Sequence, residues 1–273
     1  TGTSTSYKLV MGTDTTLGLN LGGTGEFSAA SATDLIANRI QGSAYSLGLD
    51  TGNATGASFW YGSDLTAQNL IKAGTGTLVL SGTLNYANTL INAGTLQFGS
   101  LTAGSGPGTG YITVDSGATL AFARTGTVTS VGTLVSGSGN VSVLGGTVSL
   151  TGINTYTGGT RISLGTLEFA AGGLGTSGSI TFAGSSTLRF AAGNTTDMST
   201  RLSVSTGTRA IIDTNGNDVT FASAFLAGTV SLGKAGAGTL TLSASNTFTS
   251  GVAIDGGFLQ VGTAGAIGAA GSI

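Results

Sequence analysis

Along this chain, large apolar side chains recur at every second position in many short windows. Thr77-Leu78-Val79-Leu80-Ser81, Thr95-Leu96-Gln97-Phe98 and Thr239-Leu240-Thr241-Leu242-Ser243 place Leu or Phe on alternate residues, with mostly small or polar neighbours. A period of two belongs to strands that bury one face and wet the other. The windows are only about four or five residues long, short for a sandwich strand. Gly-containing corners separate them, among them Asn92-Ala93-Gly94 and Asp255-Gly256-Gly257. Helix-building runs of Ala, Leu, Glu and Lys are nearly absent, whereas Thr, Val, Ile and Phe are plentiful. The pattern predicts an all-β chain.

Internal repeats narrow the architecture. Lys72-Ala-Gly-Thr-Gly-Thr-Leu-Val-Leu-Ser81 aligns with Lys234-Ala-Gly-Ala-Gly-Thr-Leu-Thr-Leu-Ser243 at an offset of 162, and Gly146-Thr-Val-Ser-Leu150 lies 70 beyond the first copy. Each copy continues into an Asn/aromatic segment: Leu84-Asn-Tyr86, Asn154-Thr-Tyr156 and Asn246-Thr-Phe248. Each ends on a second strand: Gly94-Thr-Leu-Gln-Phe98, Gly165-Thr-Leu-Glu-Phe169 and Gly257-Phe-Leu-Gln-Val261. A further pair, Ile112–Phe122 and Ile180–Phe190, matches at offset 68 without a gap. Short strands joined by Gly corners cannot each bury a face alone, but stacked coils can. The expected fold is a right-handed parallel β-helix (a β-solenoid), with Leu78, Leu80, Leu96, Phe98 and their counterparts in inward columns. At roughly 20–25 residues and about 4.8 Å per coil, the rod would be on the order of 50–65 Å long. A sandwich or barrel is the rival all-β reading.

Composition removes whole classes of chemistry. The chain has 273 residues, 50 of them Gly, with no Cys and no His. That excludes a thiol nucleophile, a Ser-His-Asp triad, a haem ligand and an ordinary zinc site. Nine Lys+Arg against eleven Asp+Glu make no polycation, so no nucleic-acid partner is expected. No apolar run approaches the roughly 20 residues of a membrane-spanning helix. With 40% hydrophobic residues and a mean hydropathy of +0.35, the chain is too apolar for a Gly/Ser linker. No charged segment plus apolar stretch opens it, so either a signal peptide has been removed or this is an internal piece.

The repeats resemble the passenger-associated transport repeat of autotransporters, whose pattern is similar to K-x-G-x-G-T-L-x-L-S-G-x-N-T-Y-x-G-x-T-x-(V/I)-x-x-G-T-L-x-(L/V). The third copy, Lys234 to Val261, departs at Ala244, Phe248 and Phe258; the second, Gly146 to Phe169, lacks the leading Lys; the first has Leu84 in place of Asn. Ile212–Phe221 resembles the segment that precedes a copy, and Leu174–Ile180 and Ile267–Ile273 the one that follows. The resemblance implies a bacterial passenger at the cell surface or secreted, associated with the outer membrane and exported by type V secretion. The family's translocator barrel is not in this chain. Residues 1–70 carry only a Gly-rich β pattern and form an N-terminal segment continuous with 71–273, where the copies fall at 71–98, 146–169 and 234–261. No polar cap is visible at either end, and open coils template further pairing. This leaves two alternatives: a fragment of a longer passenger, or units stacking end to end into a fibre.

Candidate sites are few. Asp213-Thr-Asn-Gly-Asn-Asp218 is reminiscent of a Ca²⁺ loop but lacks its Gly and Glu, and an Asx turn is expected instead. Gly173-Leu-Gly-Thr-Ser-Gly178 matches a phosphate-loop pattern but opens no helix, which makes it a coil corner. No metal and no cofactor is expected. Phe59-Trp60-Tyr61 must turn at least one ring outward and is the best candidate for an adhesive, sugar-stacking contact. The acids are scattered through turn-like contexts, and Glu168 and Arg189 fall at outward strand positions. The sequence therefore predicts a non-catalytic stalk or fibre unit, self-associating end to end or laterally. The alternatives are an adhesin for glycan or host matrix, and a polysaccharide-active β-helix.

Overall fold

A computed structural model describes residues 8–42, 44–54, 58–101 and 107–268. Residues 269–273, and with them most of the Ile267–Ile273 match, lie outside the described residues. Every strand pairing in this region is parallel, and stacked coils form a β-solenoid of about 10 turns, roughly 50 Å of rise. A 13-stranded sheet runs from Ser58–Tyr61 to Val252–Ile254, and a six-stranded sheet joins Thr16–Asn20 to Val135–Gly137. Residues one coil apart lie 18 apart at Leu80–Phe98 and 24 apart at Phe98–Phe122. The coils are thus somewhat tighter in places than the sequence suggests.

Each repeat copy pairs with itself. Thr77–Leu80 lies on Thr95–Phe98, Thr147–Leu150 on Thr166–Phe169, and Thr239–Leu242 on Phe258–Val261. The two halves of a copy are therefore consecutive rungs. Different copies do not stack on one another. The first belongs to a column continuing through Thr119–Phe122 to Asn140–Val143, the second to a neighbouring column continuing through Ser186–Phe190 to Ser231–Ala235. The third lies in a separate three-stranded sheet that begins at Val219–Phe221. Offsets of 70 and 92 between successive copies are not whole numbers of coils, so the three copies occupy three different columns.

The core consists of these stacks. Leu80, Phe98, Phe122, Val143, Ile162 and Phe182 follow one another rung by rung, all fully buried. Leu150, Phe169 and Phe190 do the same in the next column, with the Phe169 and Phe190 rings 4.7 Å apart. The expectation for Leu78, Leu80, Leu96 and Phe98 holds: all four point inward.

The first described coil departs from the expectation. Register partners Leu19 and Leu49 are 30 residues apart, and an α-helix, Ala29–Asp34, followed by a π-helical turn, Leu35–Arg39, fills the extra length. Ser28 caps the helix by accepting the Ser31 N–H at 3.2 Å, and Ala32 and Ile36 fall on one buried face. The helix packs on Ser58–Tyr61 and the π-turn on Leu65–Thr66, the outermost strands of their sheets. The helix and the π-turn therefore cover the outer edges of Ser58–Tyr61 and Leu65–Thr66, while Thr16–Asn20 is the outermost strand of the six-stranded sheet. The sequence signal was present in the Ser28 cap and the spacing of Ala32 and Ile36.

Replacing Phe190 by Ala removes a ring stacked between Phe169 and Phe221, and is expected to lower unfolding stability by about 3–5 kcal/mol in a denaturant titration. Trp60→Ser, on the outer surface, is expected to change it by under about 0.5 kcal/mol.

Candidate functional site

The lysines that open two of the repeat copies are internal fittings. Lys72 sits in an inward column between Leu49 and Ile91, and Lys234 between Ile212 and Ile254. Both are fully buried. Lys72 Nζ donates to the carbonyls of Ala73, Gly74 and Ala93 at 2.6, 2.7 and 3.1 Å. Lys234 Nζ repeats the set with Ala235, Gly236 and Gly256 at 2.8, 2.8 and 3.0 Å. Three carbonyls converge where the chain turns a corner, and an ammonium with three protons satisfies them all. Burial pulls Lys72 down to about 8 while the Asp50 carboxylate pushes it partly back; Lys234 is lowered for the same reason, with Asp213 opposing.

The acids mark a second module one coil earlier. Asp50 pairs in register with Ala73 and Asp213 with Ala235. Asp50 Oδ1 accepts the Gly52 N–H at 2.7 Å, and Asp213 Oδ1 accepts that of Asn215 at 2.9 Å. These carboxylates lie over Gly74 and Gly236, which share φ +71° and where a Cβ would collide with the acid. The lysine-glycine motif is thus half of a unit whose other half is an Asp-Thr turn. The sequence reading found that turn before the third copy, within Ile212–Phe221, but missed Asp50-Thr51 before the first.

The repeat asparagines tie neighbouring coils together. Asn154 Oδ1 accepts the Val135 N–H at 2.8 Å while Nδ2 donates to the Gly173 carbonyl at 2.6 Å. Asn246 accepts from Phe225 and Leu226 on one side and donates to Ala266 on the other. In the first copy Leu84 packs apolarly on the core instead. Arg201, not singled out in the sequence, donates to the carbonyls of Leu174, Gly175, Ser177 and Gly178. The Gly173–Gly178 corner therefore turns acceptors toward a guanidinium and offers no cradle for phosphate.

The outer surface is less organised. Of Phe59, Trp60 and Tyr61, the first and last point into the core, and Trp60 alone stands outward, 55% exposed. Glu168, Arg189 and Asp213 are in register on outer positions; Ser149 donates to Glu168 at 2.9 Å and Arg189 pairs with Asp213 at 2.7 Å. Asp213 Oδ1 accepts the N–H of Asn215 two residues on, so the Asp213–Asp218 segment opens as an Asx turn, and Asp218 accepts the Thr239 N–H of the next coil. Among the described residues, no three acids come together as a metal cluster, and no helix is long and apolar enough to cross a membrane.

With Lys72 near 8, the unfolded chain carries more protons than the folded one between pH 8 and 10.5, so stability rises with pH in that window. Tyr156, pushed by burial up to about 12, reverses the trend above pH 10, because only the unfolded chain then loses its phenolic proton. Denaturant midpoints measured from pH 7.5 to 11 are expected to climb and then fall. In the double variant Lys72→Met, Lys234→Met the climb is expected to vanish while the fall remains. Asn154→Ala is expected to cost about 2–3 kcal/mol, since it strands a buried N–H and a buried carbonyl.

The family model for the passenger-associated transport repeat matches residues 70–98, 145–169 and 232–261, under a third of the chain and within two residues of the boundaries read from sequence. No curated protein and no solved structure matches. Repeat and solenoid together fit an autotransporter passenger domain, and the repeat implies a secreted or surface-exposed protein. Within the three segments that match the passenger-associated transport repeat, the buried Lys72 and Lys234, the corner glycines and the linking Asn154 and Asn246 are what hold successive coils together.

Proposed function

We propose that the chain serves as a rigid, non-catalytic β-helical stalk within a bacterial passenger at the cell surface or outside the cell. The observation that carries this reading is the parallel ladder running through ten strands from Ser58–Tyr61 to Val252–Ile254. Bending such a rod means breaking backbone hydrogen bonds and side-chain stacks in the same coil, so stiffness follows from the core itself. The Thr/Ser-rich outer faces supply a shallow polar surface for lateral packing. Pairing through the Ser58–Tyr61 edge is blocked by the helix that covers it, which limits end-to-end self-association there.

Negative-stain micrographs of the purified chain are expected to show single straight rods about 50 Å long. Compact globular particles would overturn the reading. Ala32→Asp places a carboxylate in the buried face of the capping helix and is expected to undock it, exposing a strand edge. Sedimentation of that variant is expected to show association that the parent chain lacks.

A further inference from the structure

One corner of the solenoid carries an unbroken track of outward side chains, one per coil. Ser46, Asn69 and Asn88 are register partners, and the pairings of the following residues place Tyr111, Leu134 and Ile153 next in line. The track has two halves. In the first, Asn69 Nδ2 donates to Ser46 Oγ at 3.0 Å, Asn88 Nδ2 donates to Asn69 Oδ1 at 2.8 Å, and the Tyr111 N–H donates to Asn88 Oδ1 at 3.2 Å. Each amide nitrogen has a second proton to offer, and each amide oxygen a second lone pair. A depression of about 240 Å³ lies along this half, lined by Ser46, Asn69, Asn88, Tyr111 and Thr113 among others. In the second half the side chains are apolar and exposed: Tyr111 53%, Leu134 42% and Ile153 76%. The next register position is Gly172, which leaves Ile153 uncovered on that side.

We infer that this track is a binding site for a neutral, unbranched glycan lying parallel to the solenoid axis. None of its six side chains is charged, which suits a ligand of hydroxyls and ring faces rather than an acidic or basic polymer. Fixed amides meet sugar hydroxyls, while an exposed phenol ring and aliphatic groups meet the apolar faces of pyranose rings. The coils repeat at about 4.8 Å, close to the length of one hexose in an extended β-linked chain, so successive sugars meet successive coils. Three apolar side chains are far short of the roughly 800 Å² per partner that a stable protein interface buries, which argues against a second copy as occupant. The inference goes beyond the mechanical reading and does not depend on it.

The test uses the intact chain with cellohexaose and chitohexaose as neutral probes and a polygalacturonate hexamer as the acidic control, followed by NMR titration of the tyrosine ring signals. At least one neutral hexamer is expected to bind with a dissociation constant on the order of 0.1–1 mM, and the acidic one not to bind. Tyr111→Ser and Ile153→Ser are expected to weaken binding about tenfold with unchanged circular dichroism and melting, and Trp60→Ser to leave it intact. Failure of both neutral probes to saturate overturns the proposal, as does binding lost in Trp60→Ser but kept in Tyr111→Ser. So does a dimer in sedimentation that Tyr111→Ser and Ile153→Ser dissolve, because the track would then be a protein interface. Straight rods in micrographs beside a failed titration would leave the stalk standing and remove only the glycan site.

Discussion

Each inward side chain of this molecule rests on the side chain one turn before it, and that single constraint governs the rest. A rung is too short to shield its own apolar residues, so Phe98 is dry only because Leu80 and Phe122 lie directly above and below it. The stacking in turn forces backbone corners to coincide, and coincident corners crowd carbonyl oxygens together. The buried lysines answer that crowding. A charged group inside an apolar column is costly to desolvate, yet here it replaces three unsatisfied acceptors with one shared donor. Asp50 and Asp213, each one coil away, keep the lysine from standing as an isolated charge.

Most of the fold was legible from the chain because its causes are local and repeated. Alternation in Thr77–Ser81 fixes which side chains face in, and glycine after every few residues fixes where the chain turns. Repetition shows that like segments stack. What escaped was whatever happens once. The capping helix lacks the long Ala/Leu/Glu/Lys run that announces a helix, and its buried face amounts to little more than Ala32 and Ile36 in a Gly- and Ser-rich setting. The inward position of Lys72 and Lys234 also escaped: alternation puts them on the buried face of Leu70 and Leu232, but the charge of a lysine argues for the wet side.

The candidate site was less legible. Three neighbouring aromatics, Phe59 to Tyr61, draw the eye in sequence, but strand geometry spends two of them on the core and leaves only Trp60 outside. The outward track from Ser46 to Ile153 is invisible in the sequence, because its members are separated by whole coils of unequal length and come together only through the register. Sequence reveals periodic surfaces when the period is constant; here it varies.

Self-pairing within each repeat copy has an evolutionary consequence. A segment that finds its partner one turn away carries its own interface with it. Unequal recombination between the two like strands of one copy, 18 or 19 residues apart, inserts or deletes a complete turn and leaves the contacts on either side intact, whereas recombination between copies 70 residues apart does not. The length of the solenoid then becomes a trait that can drift by gene duplication alone, with no new packing problem to solve at each step.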